Sequence, residues 1–201
     1  MSEPVQFQDK VVIVTGAGGG LGRAHALLFA KHGAKVLVND LGGSTQGEGA
    51  NASAADRVVA EIREAGGIAE ANHDSVTDGD QIVQNALDAF GRIDVVVNNA
   101  GILRDRMMVN MSEAEWDAVI KVHLKGTFAP SHHAAQYWRQ EAKKRGTPVS
   151  ARLINTSSAS GIFGNVGQTN YGAAKAGIAA FTVISAMELK QYGITVNAIA
   201  P

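Results

Sequence analysis

The sequence contains no cysteine, and this absence excludes several structures and chemistries. Without cysteine the chain has no disulfide, no thiolate ligand for a metal and no thiol nucleophile, and it fits a reducing compartment. We therefore expect a cytoplasmic location. A large charge of one sign is also absent, because the formal net charge is −1. Such a balance offers no general attraction to nucleic acid or to a membrane surface, so we predict neither as a partner.

Long apolar runs are missing as well. No stretch reaches the ~18 apolar residues that a membrane span needs, and residues 1–10 lack the apolar core of a signal peptide. Apart from His123, the histidines show no metal-ligand spacing with acidic residues or with one another. We therefore predict no membrane span and no metal site.

Short apolar runs and helix-like stretches alternate along the chain. Strands are predicted at residues 11–14, 35–39, 68–72, 93–97, 153–157 and 194–199, and helices at 21–32, 53–65, 80–90 and 171–189. A further helical region begins at the capping box of Ser112 and Glu115 and runs to about Arg145. We expect it to break near residues 126–130, because a proline inside a helix removes a backbone hydrogen bond. The alternation predicts an α/β fold with a single Rossmann-type doubly wound parallel sheet and helices on both faces.

A glycine-rich loop joins the first predicted strand to the first predicted helix. It reads Thr-Gly-Ala-Gly-Gly-Gly-Leu-Gly over residues 15–22. Glycines let the backbone approach a pyrophosphate, and the start of a helix supplies free N–H groups and the positive end of the helix dipole. This context predicts dinucleotide binding through Gly16, Gly20, Leu21 and Gly22.

Asp40 ends the second predicted strand, where an acidic side chain is expected to bind the ribose of adenosine. A 2′-phosphate beside this carboxylate would be repelled, and the next residue is Leu41 rather than Arg or Lys. We therefore predict NAD, not NADP, as the cofactor. A turn aspartate before two glycines is the alternative interpretation of Asp40. Arg23 is a candidate partner for a 2′-phosphate, but a place on the surface of the first helix explains it better.

Tyr171 and Lys175 are spaced to lie on one face of a predicted helix. A phenol has a pKa of ~10 and is a poor base near neutral pH. A nearby ammonium and a positive nicotinamide favour the phenolate, which can take the proton of an alcohol. Ser158 ends the fifth predicted strand, at the sheet edge that binds ligands, and would stabilise a developing alkoxide. Ser157 and Ser160 are close enough to leave the choice of serine open, although the spacing favours Ser158.

The glycine spacing, together with Ser158, Tyr171 and Lys175, resembles the short-chain dehydrogenase/reductase family over roughly residues 7–201. The resemblance implies hydride transfer between a secondary alcohol or ketone and a nicotinamide dinucleotide. It implies that Tyr171 and Lys175 also contact the cofactor, and that Ser158 and Tyr171 contact the substrate. Further residues implied for the cofactor site are Asp74, Ser75, Asn98, Ala100 and Gly101.

One position departs from the family pattern. His123 stands where the family usually has an asparagine that holds a proton-relaying water. An imidazole can donate and accept hydrogen bonds, so it can hold the same water. A helix histidine bonded to a backbone carbonyl is an equally good interpretation, and a catalytic role for His123 stays open.

Several stretches are similar to the (3R)-hydroxyacyl-CoA dehydrogenases of this family and their bacterial relatives, namely residues 38–43, 90–94, 99–106 and 157–161. The similarity implies a 3-hydroxyacyl-CoA substrate and a homotetramer with the Tyr171 helix and the helix around residues 129–145 at the interface. It weakens over residues 129–152, so a steroid or other apolar alcohol, or an acyl-carrier-protein thioester, stays open. A dinucleotide-binding sensor without turnover is the third alternative, and the intact catalytic set argues against it.

The chain ends at Pro201, directly after the sixth predicted strand. A sheet that ended there would have a ragged edge. We therefore expect residues 1–201 to be a single NAD-binding catalytic domain that is incomplete at its C-terminus, without a last strand and the segment that covers the substrate.

Overall fold

Six parallel strands form one sheet in the order β3-β2-β1-β4-β5-β6 in the computed structural model, which describes residues 6–43, 46–47 and 53–201. The strands are β1 (Val11–Thr15), β2 (Lys35–Asn39), β3 (Ile68–Asn72), β4 (Val95–Asn98), β5 (Ala151–Thr156) and β6 (Ile194–Ile199). The helices are α1 (Gly20–Lys31), α2 (Ser53–Glu64), α3 (Gly79–Phe90), α4 (Glu113–Ile120), α5 (Gly126–Arg145), α6 (Ser160–Phe163) and α7 (Thr169–Leu189). The chain leaves β1 in one direction and returns to its other side at β4, which is the predicted doubly wound arrangement. The predicted fold class is confirmed.

The central strands are apolar because helices cover both faces of the sheet. Every residue of β1 and β4 is buried, as is typical of a parallel sheet. Val12 and Val14 face a cluster that includes residues of α1 and α2, whereas Ile13 faces one that includes residues of α3 and α5. Alternate side chains of one strand therefore anchor opposite layers.

Carboxylates fix where two of the elements begin. In the predicted capping box, the Ser112 hydroxyl accepts the N–H of Glu115, and the Glu115 carboxylate accepts the N–H of Ser112. At the amino edge of the sheet, the Asp94 side chain is 6% exposed and accepts the N–H of Val11 at 2.9 Å. Arg92 pairs with the same carboxylate at 2.6 Å, so the buried charge is compensated where β1 starts.

The helical region after α4 differs from the sequence-based expectation. The break expected near residues 126–130 is wrong in position: a wide π-helical turn occupies Lys121–Lys125, and α5 continues through Pro130. Pro130 cannot donate to the carbonyl of Gly126 and its ring crowds that group, so the helix widens in the turn before it. This turn places His123 in a buried position.

α7 and the short turn that follows it are long and apolar enough to cross a membrane, by length and composition alone. The sequence analysis predicted no such span. The helix packs against α4, α6 and β6 and carries a buried lysine on its inner face. Its outer side chains Val183, Ile184 and Met187 are more than half exposed. We interpret α7 as a layer of the α/β fold with one apolar face uncovered in the single chain.

Candidate active site

A cleft of about 450 Å³ lies at the carboxyl edge of the sheet, beside the point where the strand order reverses. Ligands bind at this place in open α/β sheets. The sequence-predicted residues that line it are Gly16, Gly20, Asp40, Asp74, Ser75, Ala100 and Gly101. A larger hollow of about 690 Å³ near Gln8, Leu27 and Ile68 contains none of the predicted site residues. Among the described residues, no three histidine, aspartate or glutamate side chains form a group that could hold a metal.

The glycine loop meets two different steric requirements. Gly16 has a φ of +62°, and a Cβ there would lie 2.6 Å from the Cα of Ala100. A Cβ at Gly22 would collide with the carbonyl oxygen of Gly16. Gly19 and Gly20, in contrast, line the cleft, and a Cβ at either would meet no described atom within 4 Å. The bare backbone at these two positions leaves room for a pyrophosphate to approach, so the loop fits a dinucleotide.

Five of the predicted cofactor residues do not line the cleft, namely Leu21, Gly22, Asn98, Tyr171 and Lys175. The Leu21 side chain is exposed on α1. Asn98 is buried, and its Nδ2 donates to the Ser131 hydroxyl at 2.8 Å and to Asn155 Oδ1 at 2.9 Å. The structure thus places Asn98 in a buried network that joins β4, β5 and α5, whereas its neighbour Asn99 lies on the cleft.

Asp40 is held in a defined orientation at the cleft. Its carboxylate accepts the N–H of Gly18 at 2.7 Å and the N–H of Gly42 at 2.7 Å. Arg23, the candidate partner for a 2′-phosphate, instead forms an ion pair with Glu61 of α2. The hydrogen bond that Arg23 donates to Glu61 raises the pKa of the Arg23 guanidinium, which already has its anionic partner.

Asn39 and Asn72 support the part of the cleft that Asp74 and Ser75 line, and neither asparagine was predicted from the sequence. Asn39 Nδ2 donates to Asn72 Oδ1 at 2.7 Å and to the backbone carbonyl of Asp74 at 2.9 Å. Asn72 Nδ2 donates to the Asp74 carboxylate at 2.6 Å. The Ser75 hydroxyl lies 2.9 Å from the hydroxyl of Thr77. Each of these asparagines ends a strand, and this shared position was the sequence signal that could have identified them as supporting residues.

Tyr171, Lys175 and His123 meet where α7 packs against the π-helical turn. Lys175 Nζ lies 5.4 Å from the centre of the Tyr171 ring, and the His123 ring packs edge-on against that ring at 5.2 Å. Lys175 is 3% exposed, and its Nζ donates to the carbonyl of Thr156 at 2.6 Å. Burial lowers the pKa of Lys175 to about 8. The described part of the chain offers the Tyr171 hydroxyl no hydrogen-bond partner, so this hydroxyl is available to a ligand.

The hydrogen bonds distinguish the three serines at the end of β5. The Ser157 hydroxyl is buried and donates to the carbonyl of Lys175 at 2.9 Å. The Ser160 hydroxyl donates to the side chain of Gln168 at 2.9 Å. The Ser158 hydroxyl accepts the N–H of Ser160 at 3.2 Å, which leaves its own proton for another acceptor. Ser158 is therefore the serine best able to donate to a substrate oxygen.

His123 bonds to the backbone through one ring nitrogen. Nε2 lies 2.8 Å from the carbonyl oxygen and 3.0 Å from the backbone nitrogen of Ile102. Burial, and secondarily the charge of Lys175, lower the pKa of His123 to about 4, so the ring is neutral near pH 7. Nδ1 is buried without a partner among the described residues. A Cβ at Gly101 would collide with the ring, which explains the glycine there.

Comparisons with known proteins agree with this geometry. Residues 10–201 match the family model of short chain dehydrogenases. Over its full length the chain is 53% identical to peroxisomal multifunctional enzyme type 2 of Mus musculus, of which it spans 26%. It is 47% identical, over 97% of its length, to a hydroxyacyl-CoA dehydrogenase of Mycobacterium tuberculosis, of which it spans 61%.

A crystal structure gives the same result in three dimensions. The short chain dehydrogenase from Mycobacterium avium is 57% identical, with a TM-score of 0.89 over 97% of this chain and 68% of that chain. Members of this family typically use a nicotinamide dinucleotide. With the glycine cradle, the tyrosine–lysine pair and these matches together, the chain belongs to the short-chain dehydrogenase/reductase family.

Proposed function

We propose that residues 1–201 belong to one NAD-dependent catalytic domain that interconverts a secondary alcohol and a ketone, with a 3-hydroxyacyl-CoA as substrate. The observation that carries the proposal is the packing of Lys175 and His123 around the Tyr171 ring, with the Tyr171 hydroxyl free for a ligand. The glycine loop with open space at Gly19 and Gly20 supports dinucleotide binding in the same molecule.

The chain's own residues supply the proton chemistry. The cleft at Gly16, Gly20 and Asp40 would hold the dinucleotide, which would supply the acceptor for the hydride of the alcohol. Ser158 donates a hydrogen bond to the substrate oxygen, and Tyr171 takes the hydroxyl proton as the carbonyl forms. The buried ammonium of Lys175 favours the phenolate of Tyr171. In the reductive direction Tyr171 returns the proton to the oxygen.

We propose that His123 takes part in the proton relay, and one observation supports this role. Its buried Nδ1 has no partner in the part of the chain that the structure describes, while Nε2 is held by Ile102. A neutral imidazole with one nitrogen fixed and the other free is suited to hold a water next to Lys175. The backbone-bonded interpretation accounts for Nε2 alone.

Apolar side chains near the first turn of α7 support an acyl substrate. Met108, Met111 and Trp116 line a cleft of about 300 Å³ together with Thr169, close to Tyr171 along α7. Met108 is 70% exposed, so this methionine does not fill the core. Flexible methionine side chains adapt to an alkyl chain. The relative from Mycobacterium tuberculosis is by name a hydroxyacyl-CoA dehydrogenase.

The proposal is tested by a substrate panel with the full-length protein, in which NADH is followed by its absorbance. We expect a (3R)-hydroxyacyl-CoA to be oxidised with a kcat/KM about 10-fold or more above that of a hydroxysteroid or the (3S) isomer. An acyl-carrier-protein thioester is tested in the reductive direction. A higher kcat/KM with the steroid or the carrier-protein thioester would reject the acyl-CoA assignment, and no turnover on any substrate would favour the sensor alternative.

The preference for NAD is expected to depend on Asp40. Its carboxylate, oriented by two backbone N–H groups, would repel a 2′-phosphate. Asp40→Asn removes the charge, so we expect the ratio of kcat/KM for NAD over that for NADP to fall about 10-fold. Asp74→Asn is the matched control, since it removes a charge elsewhere in the cleft and should weaken both cofactors alike. A wild-type protein that prefers NADP contradicts this assignment.

The exposed apolar face of α7 supports the homotetramer that we propose. Phe128 of α5 is 48% exposed and packs near Phe181, so the surface extends over both helices. A monomeric mass in light scattering would contradict this assembly.

For the location of the protein, we propose the cytoplasm. A peroxisomal location is the alternative, since the mouse relative is by name peroxisomal.

A further inference from the structure

Asn170 directly precedes Tyr171 and is fully buried, although asparagine is polar. Its side chain makes three hydrogen bonds to backbone atoms. Oδ1 accepts the N–H of Tyr171 at 2.8 Å, and Nδ2 donates to the carbonyls of Arg104 at 3.0 Å and Glu115 at 3.3 Å. These atoms belong to three segments: the first turn of α7, the loop after β4, and the first turn of α4.

The position of Asn170 in α7 explains why these bonds matter. The N–H of Tyr171 lies in the first turn, where backbone donors have no partner within the helix. Gln168, the N-cap residue, makes no side-chain capping bond. Asn170 satisfies this N–H from inside the helix, and its remaining amide hydrogens reach two segments distant in sequence. One buried side chain therefore serves as helix cap and as tertiary tether.

The tether leads to the wall of the cofactor cleft. The carbonyl that Asn170 binds, that of Arg104, belongs to the same loop as Gly101 and Ile102, which line the cleft. Ile102 is in turn bonded to His123, whose ring packs against Tyr171. The backbone of Tyr171 is thus linked to this loop through Asn170, and its ring is linked to the same loop through His123.

We infer that Asn170 is a positioning residue, which holds the Tyr171 phenol at a fixed place relative to the cofactor cleft. This inference rests on the proposed function, because it concerns the residue assigned as the proton acceptor. Asn170 acts through Tyr171, not on the substrate. Loss of the tether is expected to lower the rate of proton transfer while cofactor binding is retained.

The test compares Asn170→Ala with Asn165→Ala, a matched change of an exposed asparagine on the loop before α7. In folded Asn170→Ala we expect kcat to fall about 10- to 100-fold, since small misplacements of a reacting group cost about that much, with the Kd for NADH within about threefold of wild type. Asn165→Ala should keep both values. If Asn170→Ala does not fold, Asn170→Ser carries the test, because its neutral hydroxyl keeps a polar group near the N–H of Tyr171 but is too short to reach the carbonyls of Arg104 and Glu115.

Two outcomes overturn the inference: a folded Asn170 variant with kcat within about twofold of wild type, or one in which kcat and NADH affinity fall in parallel, as general unfolding would cause. Tyr171→Phe measured alongside keeps the two proposals apart. If Tyr171→Phe retains turnover, the proposed function fails. If Tyr171→Phe is inactive and Asn170→Ala is normal, only the positioning role fails.

Discussion

Replacement of Tyr171 by phenylalanine is expected to lower kcat for alcohol oxidation by about 10²- to 10⁴-fold, the range that general acid–base groups supply. The substitution removes one oxygen atom and keeps the ring. The contacts of that ring with His123 and Lys175 should therefore persist. The hydroxyl has no hydrogen-bond partner among the described residues, so its removal should leave no buried group unsatisfied.

Thermal melting and NADH binding serve as the controls for this variant. The melting temperature should match wild type and NADH should still bind, because neither the fold nor the glycine cradle depends on the phenol oxygen. Tyr137→Phe, a change of the same atom in α5, should leave kcat unchanged. Oxidation by Tyr171→Phe at the wild-type rate would refute the assignment of Tyr171 as the proton acceptor.

Exchange of Lys175 for methionine is expected to lower kcat at pH 7 by about 10²- to 10³-fold, because the ammonium that favours the Tyr171 phenolate is lost. Lys175 Nζ lies 5.4 Å from the centre of that ring in a buried setting, where charge acts strongly. A phenol without this help ionises near pH ~10. The variant should therefore recover part of its activity at alkaline pH. A pH–rate profile that keeps its wild-type shape would contradict the role of the ammonium.

Lys175→Met lowers kcat but should raise the stability of the fold near neutral pH. The pKa of Lys175 is lowered by burial from 10.5 to about 8, so between these values the unfolded chain binds more protons than the folded one. The buried charge therefore destabilises the fold below pH 8, by an amount on the order of 3 kcal/mol, and this cost disappears as the pH rises through 10.5.

Calorimetric melting between pH 7 and 11 checks this sign. Lys175→Met loses the hydrogen bond to Thr156, which is a small effect, and should still be at least as stable as wild type at pH 7. Its free energy of unfolding should also lack the rise that wild type shows between pH 8 and 10.5. Lys143→Met, at an exposed site, should follow wild type. A Lys175→Met protein that is inactive and also much less stable at pH 7 would point to a structural lysine.

The tertiary structure decided which members of each local cluster face the site. Ser157 and Ser158 are adjacent in sequence. The Ser157 hydroxyl donates to the carbonyl of Lys175, whereas the Ser158 hydroxyl keeps its proton for another acceptor. The Asn98 side chain is hydrogen-bonded to Asn155 in the buried network, whereas Asn99 lines the cleft. The choice depends on which distant segment approaches each side chain, and a one-residue step along a strand reverses the face.

Distant segments that bury His123 and Asn170 also determined the hydrogen bonds that these two side chains form. Local pattern leaves His123 as either a relay or a backbone-bonded histidine, and the structure shows Nε2 bound to Ile102 with Nδ1 unpartnered. Asn170 carries no signal in the sequence, because its bonding partners lie in the loop after β4 and in α4. Desolvation, which moves the pKa of Lys175, likewise exists only once the chain has packed.

The sequence by itself determined the alternation of strands and helices, with β2, β3 and β6 at the predicted residues. It also determined the glycine loop between β1 and α1 and the spacing of Tyr171 and Lys175 along one helix face. These features depend on local backbone geometry and on side-chain periodicity, which neighbouring residues dictate. Only the folded chain decided that the Ser158 hydroxyl keeps a proton to donate and that Asn170 tethers α7, because each depends on hydrogen bonds between residues far apart in sequence.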